Sequence, residues 1–338
     1  MKDLLIFNYN SKQDALLVRD LKWILRTVDC YYLSRSWEGG PNIRVTFGRN
    51  TDPTKIQEIH ELTKLTMKNI LIDESEEKQV AEKYKKNASV LAKLEDKGQV
   101  SVMEKHGATK VIDNQFFFHN REITDLFNEI RFDLQELVME LYLYLEDNPI
   151  AAKEVFPVLF HYVSETYKVN DVNKGYFSFI SHVHGFFELS VNQKLSYNES
   201  QFEENYQSQK PFLIKFEKEH TWFIQKWFNK WRELFLLLEK IVDGVIDAEY
   251  IETMKKTFAS LQTNYSNDFH HHFSKYALKE GFVYDDSATA YRFLINLLYM
   301  SLPFLRVSAL KKQQYIYMAY RYTEDTYNVN WREEIGVK

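Results

Sequence analysis

The sequence predicts an α+β fold, with an N-terminal antiparallel sheet that has helices on one face, followed by a mainly helical C-terminal half. Short apolar runs bounded by turn residues lie in the first third of the chain, and such runs are typical of strands. Beyond them, apolar residues recur every three or four positions, which indicates helices. The chain has ten Gly and six Pro among 338 residues. This scarcity of turn formers argues against a sandwich of many short strands.

The first predicted part is an α+β subdomain over residues 1–122. Its strand candidates are residues 4–9, 29–36, 43–47 and 111–119. Its helix candidates are residues 11–25, 52–69 and 73–97. The second helix has Thr51 or Asp52 as its N-cap and Pro53 in its first turn, both favoured there. The third is so rich in charge that we interpret it as a solvated helix or a mobile excursion.

The second predicted part is a mainly helical subdomain over residues 123–338. Its helix candidates are residues 123–146, 151–167, 177–189, 219–242, 248–261, 288–305 and 311–325. The helix at residues 123–146 has leucine and isoleucine along one stripe, and Pro149 is expected to end it. The domain boundary is therefore predicted near residues 120–125.

Composition and charge exclude several classes of function. The net charge of −5 supplies no global basic field for nucleic acid or an anionic membrane. Cys30 is the single cysteine, so neither an intramolecular disulfide nor a Cys-based zinc cluster is expected. It lies in an apolar run, and we predict a buried thiol. The start of the chain does not read as a signal peptide and no long apolar stretch is present, so we expect a cytoplasmic protein without a membrane span.

Generic catalytic motifs are missing from the sequence. There is no Gly-rich phosphate loop, no HExxH and no GxSxG. Residues 269–273 read Phe-His-His-His-Phe, but adjacent histidines point in different directions, so we predict a surface run and no metal site. Trp222, Trp227 and Trp231 are predicted to lie in the core or in a groove, because no basic stripe accompanies them.

The segment at residues 29–47 carries the most information. It reads as a hairpin with Arg35 and Arg44 on polar strand faces, where two guanidinium groups can gather an anion, or as two arginines on a solvated face. Its pattern resembles the start of the elimination domain of class I lanthipeptide and thiopeptide dehydratases, in which Gly-Pro-His and alternating arginines follow an aromatic-rich strand. Residues 175–182 and 296–303 resemble elements of stand-alone members and of the thiopeptide branch of that family.

Departures from the elimination pattern shift the expected chemistry. Asn42 replaces the histidine of Gly-Pro-His, Thr46 replaces the second arginine, and Tyr299 stands where eliminases offer a histidine. A base that removes a Cα proton at neutral pH needs a pKa near 7, which suits His and not Tyr. The resemblance therefore implies a stand-alone pyridine synthase, which joins two dehydroalanines of a modified peptide in a formal aza-Diels–Alder cycloaddition, closes the macrocycle and eliminates the leader peptide.

The site residues are predicted from this resemblance. The catalytic candidates are Arg35, Ser181, His182 and Tyr299. The first would hold polar peptide groups, the serine and histidine would shuttle protons, and the tyrosine would donate a hydrogen bond, although His182 also fits a core histidine. The substrate-binding candidates are Arg44, Tyr176 and Trp37. No metal and no organic cofactor is expected.

The expected partner is the modified precursor peptide with its leader, which the N-terminal subdomain would bind as an added strand or a groove-bound helix. Other biosynthetic enzymes or a second copy of the chain are further partners left open. Two alternative functions also remain. One is the glutamate-elimination subunit of a split dehydratase, and the other is a non-catalytic scaffold that binds the leader.

Overall fold

The computed structural model describes residues 1–94, 102–114, 121–245, 248–264, 267–279, 282 and 285–337. It shows a small N-terminal antiparallel sheet and a mainly helical C-terminal half, which confirms the predicted α+β class. Two compact units divide the chain, the first formed by Met1–Asp147 with Met300–Arg306 and the second by Asn148–Tyr299 with Val307–Lys338. The separate assignment of leader binding to residues 1–122 and of the active-site cleft to residues 123–338 stays a prediction.

The first unit contains a four-stranded antiparallel sheet in the order β2-β3-β1-β4 within the described residues. The strands are β1 Lys2–Ile6, β2 Tyr31–Ser36, β3 Asn42–Phe47 and β4 Thr109–Asp113. The helices are α1 Asp14–Ile24, α2 Pro53–Lys68, α3 Glu74–Leu94 and α4 Arg121–Asp147, with short 3-10 turns at Ser11–Gln13 and Leu25–Thr27. Each predicted element here is present, although residues 115–119 of the fourth predicted strand lie outside the described residues.

Local chemistry explains where several of these elements begin. The Asp52 side chain caps α2 by accepting a hydrogen bond of 2.8 Å from the Thr54 amide, and Pro53 is the first helical residue, as predicted. Cys30 lies just before β2 and is exposed, so the prediction of a buried thiol was wrong. The apolar run that suggested burial begins at β2 itself, one residue later.

A buried carboxylate connects distant parts of the first unit. The Asp14 side chain, 5% exposed, accepts hydrogen bonds from both Arg35 and Arg306, the second at 2.6 Å. The Tyr142 hydroxyl donates to the same carboxylate at 3.2 Å. Burial alone would raise the pKa of Asp14, but the two guanidinium groups outweigh it and lower the pKa below its usual range. The carboxylate is therefore ionised, and it links α1, β2, α4 and the segment Met300–Arg306.

The second unit is built from helices around a short two-stranded hairpin. The hairpin strands are β5 Lys168–Val169 and β6 Val172–Asn173. The helices are α5 Ala152–Ser164, α6 Tyr176–Asn192, α7 Glu199–Glu219, α8 Thr221–Val245, α9 Ala248–Asn264, α10 Asp268–Lys279, α11 Asp286–Ser301, α12 Ala309–Tyr327 and α13 Trp331–Glu334. The last two residues of α11 belong to the first unit. In the described residues, no helix is long and apolar enough to cross a membrane.

This unit contains three helices that the sequence did not predict, α7, α10 and α13, within the described residues. Helix α8 differs in the exposure of one tryptophan. Helix α7 was not predicted, although its start carries a capping box in which the Asn198 and Gln201 side chains satisfy each other's backbone amides. In α8, Trp227 and Trp231 are buried in the core as predicted, and the Trp227 indole donates to the Leu159 carbonyl at 3.2 Å. Trp222 is 70% exposed, because it lies in the first turn of α8 on the outer face.

A close backbone approach fixes the start of α6. The Tyr291 hydroxyl donates to the Gly175 carbonyl at 3.0 Å. A Cβ atom at Gly175 would lie 2.7 Å from that hydroxyl and closer still to the Ser164 carbonyl. Since neither backbone nor a fully packed tyrosine can yield easily, only glycine fits at this position.

Gly175→Ala is therefore expected to lower the free energy of unfolding by about 1–3 kcal/mol, the usual cost of overpacking. Gly244→Ala in α8 is the matched control, because a Cβ there meets nothing within 4 Å. That variant should gain about 0.5–1 kcal/mol from the better helix propensity of alanine. Urea denaturation followed by circular dichroism measures both, and equal stability of the two variants would contradict the argument.

Candidate functional site

Two adjoining hollows in the second unit share Ser181, His182 and Leu261 in their walls. The first has a volume of about 280 Å³ and the second about 580 Å³. Aromatic rings form much of the first, among them Phe177, Phe258, Phe273, Phe282 and Tyr291. Apolar walls with a few polar groups are the usual lining of sites for organic ligands. Ser181 and His182 are successive residues of α6, so both predicted proton-shuttling side chains face this space.

Ser181 has a partner that the sequence analysis missed. Its hydroxyl lies 3.0 Å from Nε2 of His270, and Nδ1 of His270 lies 2.9 Å from the Asn267 side-chain oxygen. His270 is 2% exposed, so the prediction of a surface histidine run was wrong for this residue. The sequence did contain a signal for the burial of His270, because Phe269 and Phe273 are spaced four residues apart and share the buried face of α10 with it. His271 is exposed.

Burial makes His270 a neutral imidazole. Loss of hydration lowers its pKa to about 4, and nearby His184 lowers it further while Glu188 opposes the shift. His184, which is 8% exposed, has its pKa lowered to about 4 mainly by burial. At neutral pH both rings therefore act as hydrogen-bond donors and acceptors without a charge.

His182 and Tyr299 form the other side of the site. Their rings meet edge to face, with centroids 4.9 Å apart and an angle of 79° between the planes. The Lys312 ammonium lies 4.4 Å from the centroid of the Tyr299 ring. Loss of hydration around His182 and the charge of Lys312 lower its pKa, although the ring stays exposed to the hollow, where water limits the shift. His182 is therefore neutral at pH 7.

The Tyr299 phenol is suited to donating a hydrogen bond. Burial raises the pKa of Tyr299 above its usual range, against a smaller opposing effect of Ser178. Its hydroxyl oxygen is buried, close enough to Ser178, a residue of the first hollow's wall, for the two side chains to interact. A phenol that stays protonated can donate a hydrogen bond. The structure thus brings Ser181, His182 and Tyr299 together, three of the four predicted catalytic residues.

Arg292 is a further polar group of the first hollow that the sequence did not flag. It lies on α11, and its Nη2 donates to the Thr289 hydroxyl. Its Nε is buried and makes no hydrogen bond among the described residues. The neighbouring cation, Lys174, is already paired with Glu334. Arg292 is therefore a better candidate than Lys174 to donate a hydrogen bond to a peptide carbonyl of the substrate.

The predicted arginine pair lies in the first unit and does not form one anion site. Arg35 pairs with Ile43 across the β2–β3 ladder, whereas Arg44 pairs with Ser34. Residues one position out of register point to opposite sheet faces, so the prediction that both guanidinium groups gather one anion was wrong. Arg44 is 5% exposed and lies 3.6 Å from the Asp3 carboxylate. The individual roles predicted for these arginines stay predictions.

The two aromatic substrate-binding candidates differ in access. Tyr176 is 0% exposed and stacks on Phe177 with centroids 4.8 Å apart. This ring lies behind Phe177, which lines the first hollow, and the substrate-binding role of Tyr176 stays a prediction. Trp37 is half-buried in the β2–β3 turn, where its carbonyl accepts from the Gly40 amide at 3.0 Å. Its predicted role stays untested.

No group of three or more His, Cys, Asp or Glu side chains in the described ranges is arranged to hold a metal ion.

Neither a protein-family model nor a curated protein sequence matches the chain. Solved structures do match. The pyridine synthase TbtD from thiomuracin biosynthesis superposes with a TM-score of 0.62 at 13% identity, covering 97% of this chain and 99% of that one.

The chain has the fold of a thiopeptide pyridine synthase. TsrL is a second similar structure, with a TM-score of 0.57 at 14% identity, covering 99% of this chain and 97% of that one. The likeness therefore runs through nearly the whole length of each protein. At these identities it establishes the fold, and the chemistry has to be argued from the side chains of the site.

The buried neutral histidines predict acid sensitivity. A histidine whose pKa is lower in the folded than in the unfolded chain contributes stability that is complete above pH 6.5 and is lost as the pH falls toward the folded value. For His184 and His270, each with a folded pKa of about 4, the loss is about 3 kcal/mol apiece at that limit. Urea denaturation of the wild type between pH 7.5 and 4.5 should show this decline.

His184→Phe should lose less stability over the same pH range, because phenylalanine cannot be protonated. His271→Gln is the control, since His271 is exposed, and it should follow the wild-type curve. An unchanged pH slope in His184→Phe would show that His184 does not cause the decline.

Proposed function

We propose that the protein forms the central six-membered nitrogen ring of a thiopeptide from two dehydroalanines of a modified precursor peptide. The reaction is a formal aza-Diels–Alder cycloaddition that closes the macrocycle, followed by loss of water and of the leader peptide. The main support is that Ser181, His182 and Tyr299 line or adjoin one aromatic hollow in a chain with the fold of a pyridine synthase.

The character of the hollow suits this chemistry. Cycloaddition requires two distant parts of one peptide to be held in register, which is catalysis by proximity and orientation. The azadiene forms when an amide passes to its imidic-acid tautomer, a shift that needs a proton acceptor and a donor of moderate strength. Ser181 and neutral His182 can shuttle that proton, and the Tyr299 hydroxyl can donate to the developing imidic oxygen or to the leaving hydroxyl. Arg292 would hold a peptide carbonyl beside them.

Glutamate elimination receives less support from the same residues. It requires a base strong enough to remove a Cα proton, whereas the pKa of His182, the predicted proton shuttle, is lowered. It also uses arginines that hold the departing glutamate, and here Arg35 is paired with Asp14 while Arg44 is buried beside Asp3.

The test uses a leader-bearing linear peptide with two dehydroalanines, incubated with the purified protein and followed by mass spectrometry. The expected products are a cyclised peptide and a free leader. Tyr299→Phe keeps the ring against His182 and removes the donor, so kcat should fall about 100-fold. Tyr250→Phe, located two turns before Phe258 in α9, is the control and should keep the wild-type rate.

The proposal is rejected if no dehydroalanine-bearing peptide encoded in the same biosynthetic gene cluster releases its leader. Loss of glutamate from a glutamylated peptide would favour the split-dehydratase alternative. Leader binding without either product would favour the scaffold alternative.

We further propose that the leader docks as a helix in a groove of the first unit. The groove lies between α1 and α2, has a volume of about 340 Å³, and includes Trp23, Leu16 and Leu65. These side chains are 61%, 52% and 56% exposed, which is unusual for large apolar residues next to one another. An amphipathic leader helix would cover them with its apolar face.

Trp23→Ala is expected to raise the KM of a leader-bearing peptide about ten-fold, the effect of losing one large apolar anchor, with kcat unchanged. Trp222→Ala is the matched control, because Trp222 is a similarly exposed tryptophan of the second unit, and it should leave KM unchanged. Equal KM values for the two variants would show that the leader does not bind in this groove.

A further inference from the structure

A chain of hydrogen bonds begins at Ser181 and runs along the wall of the second hollow, which His270 and Glu188 also line. The Ser181 hydroxyl lies 3.0 Å from Nε2 of His270, and Nδ1 of His270 lies 2.9 Å from the Asn267 side-chain oxygen. The Asn267 side-chain nitrogen donates to the Glu188 carboxylate at 2.6 Å. The His270 backbone amide also donates to the Asn267 oxygen, at 3.0 Å. Four side chains of α6 and of the start of α10 thus form one connected series.

Glu188, the last residue of this series, determines which atom donates and which accepts in the hydrogen bonds before it. An ionised Glu188 carboxylate only accepts, so the Asn267 amide must turn its NH₂ toward Glu188 and its oxygen toward His270. That oxygen also only accepts, so the hydrogen of the neutral imidazole sits on Nδ1. In this tautomer Nε2 presents a lone pair to which the Ser181 hydroxyl can donate, and the backbone of Ser181 also interacts with the His270 ring and opposes the lowering of its pKa.

The arrangement contains a nucleophile, a base and a group that orients the base, the three parts that activate a serine in covalent and proton-transfer enzymes. Ser181 lies in the walls of both hollows, so its oxygen can meet a bound ligand. Ser178, one turn earlier, lines the first hollow as well, but no histidine nitrogen is within hydrogen-bonding distance of its hydroxyl among the described residues.

We propose that Ser181 is an activated serine whose base is His270, with Asn267 and Glu188 as positioning residues that fix the tautomer. When the Ser181 oxygen attacks an acyl or phosphonyl electrophile, its proton passes to Nε2 as the new bond forms and the leaving group departs. In the cycloaddition, which rests on the function proposed above, the same oxygen takes the amide proton of the substrate while its own proton moves to His270. The Ser181 hydroxyl then gives a proton to the substrate oxygen, which forms the imidic acid, and takes back the proton held by His270.

A fluorophosphonate probe tests the proposal without a peptide substrate, so its failure is separate from failure of the proposed function. The full-length protein is incubated with the probe and mapped by mass spectrometry. A bond forms between phosphorus and the Ser181 oxygen, fluoride leaves, and the proton taken by His270 passes to the buffer. We expect the label on Ser181, none on Ser178, and none at all in Ser181→Ala. Ser178→Ala should be labelled at a rate within about two-fold of the wild type.

Variants of His270 and Asn267 show whether Ser181 is labelled because it is activated or only because the probe can reach it. His270→Gln should slow labelling about ten-fold or more, the usual range for loss of a general base. Asn267→Ala should slow it similarly, and ¹⁵N-histidine spectra should show His270 changing from a single Nδ1–H tautomer to a mixture. Circular dichroism checks the fold of each variant. If His270→Gln does not fold, Asn267→Ala and the wild-type spectrum decide.

Three results would overturn the assignment. They are the absence of label on Ser181 under conditions that label a serine protease, equal labelling of Ser178 and Ser181, and an Nε2–H tautomer of His270 in the wild type. A wild-type labelling rate in folded His270→Gln would also remove His270 as the base.

Discussion

The position of the candidate site depends on the contact between Gly175 and Tyr291. The Tyr291 hydroxyl, the Gly175 carbonyl and the end of α5 at Ser164 approach so closely that no side chain fits between them. This contact fixes the first turn of α6 against α11. Helix α6 supplies Ser181 and His182, and α11 supplies Arg292 and Tyr299. The close contact between Gly175 and Tyr291 therefore joins the two helices that carry these polar groups.

Within that frame the site has little formal charge. Burial lowers the pKa of His182 and His270 and raises that of Tyr299, so each is neutral near pH 7. A strong acid or base would need the opposite environment, a partner that stabilises the charged form. Neutral donors and acceptors held in an apolar wall instead favour reactions in which protons move over short distances and the reacting groups are held in place. This balance is the physical reason for preferring ring formation over elimination.

The sequence predicted the fold class and most helices, because hydrophobic spacing determines them. The family resemblance pointed to Ser181, His182 and Tyr299, which lie near one another, and their roles stay predictions. Prediction from the sequence failed where the answer depends on distant packing. A one-residue strand register separates Arg35 from Arg44, and alternation within single strands cannot reveal it. His270 looked like a surface residue because its burial and its bond to Ser181 come from the packing of α10 on α6. Helix α7 was missed although its capping box was visible at Asn198.

The bond between Asp14 and Arg306 spans 292 positions of the chain. A ribosome delivers the N-terminal sheet and its helices first, and N-terminal regions usually fold as they emerge. Here the Asp14 carboxylate of α1 lacks one of its two guanidinium partners until Arg306 has been synthesised. During synthesis the first unit thus exists for some time without its closing segment. Its final ordering is a late, non-local step of the kind that slows folding.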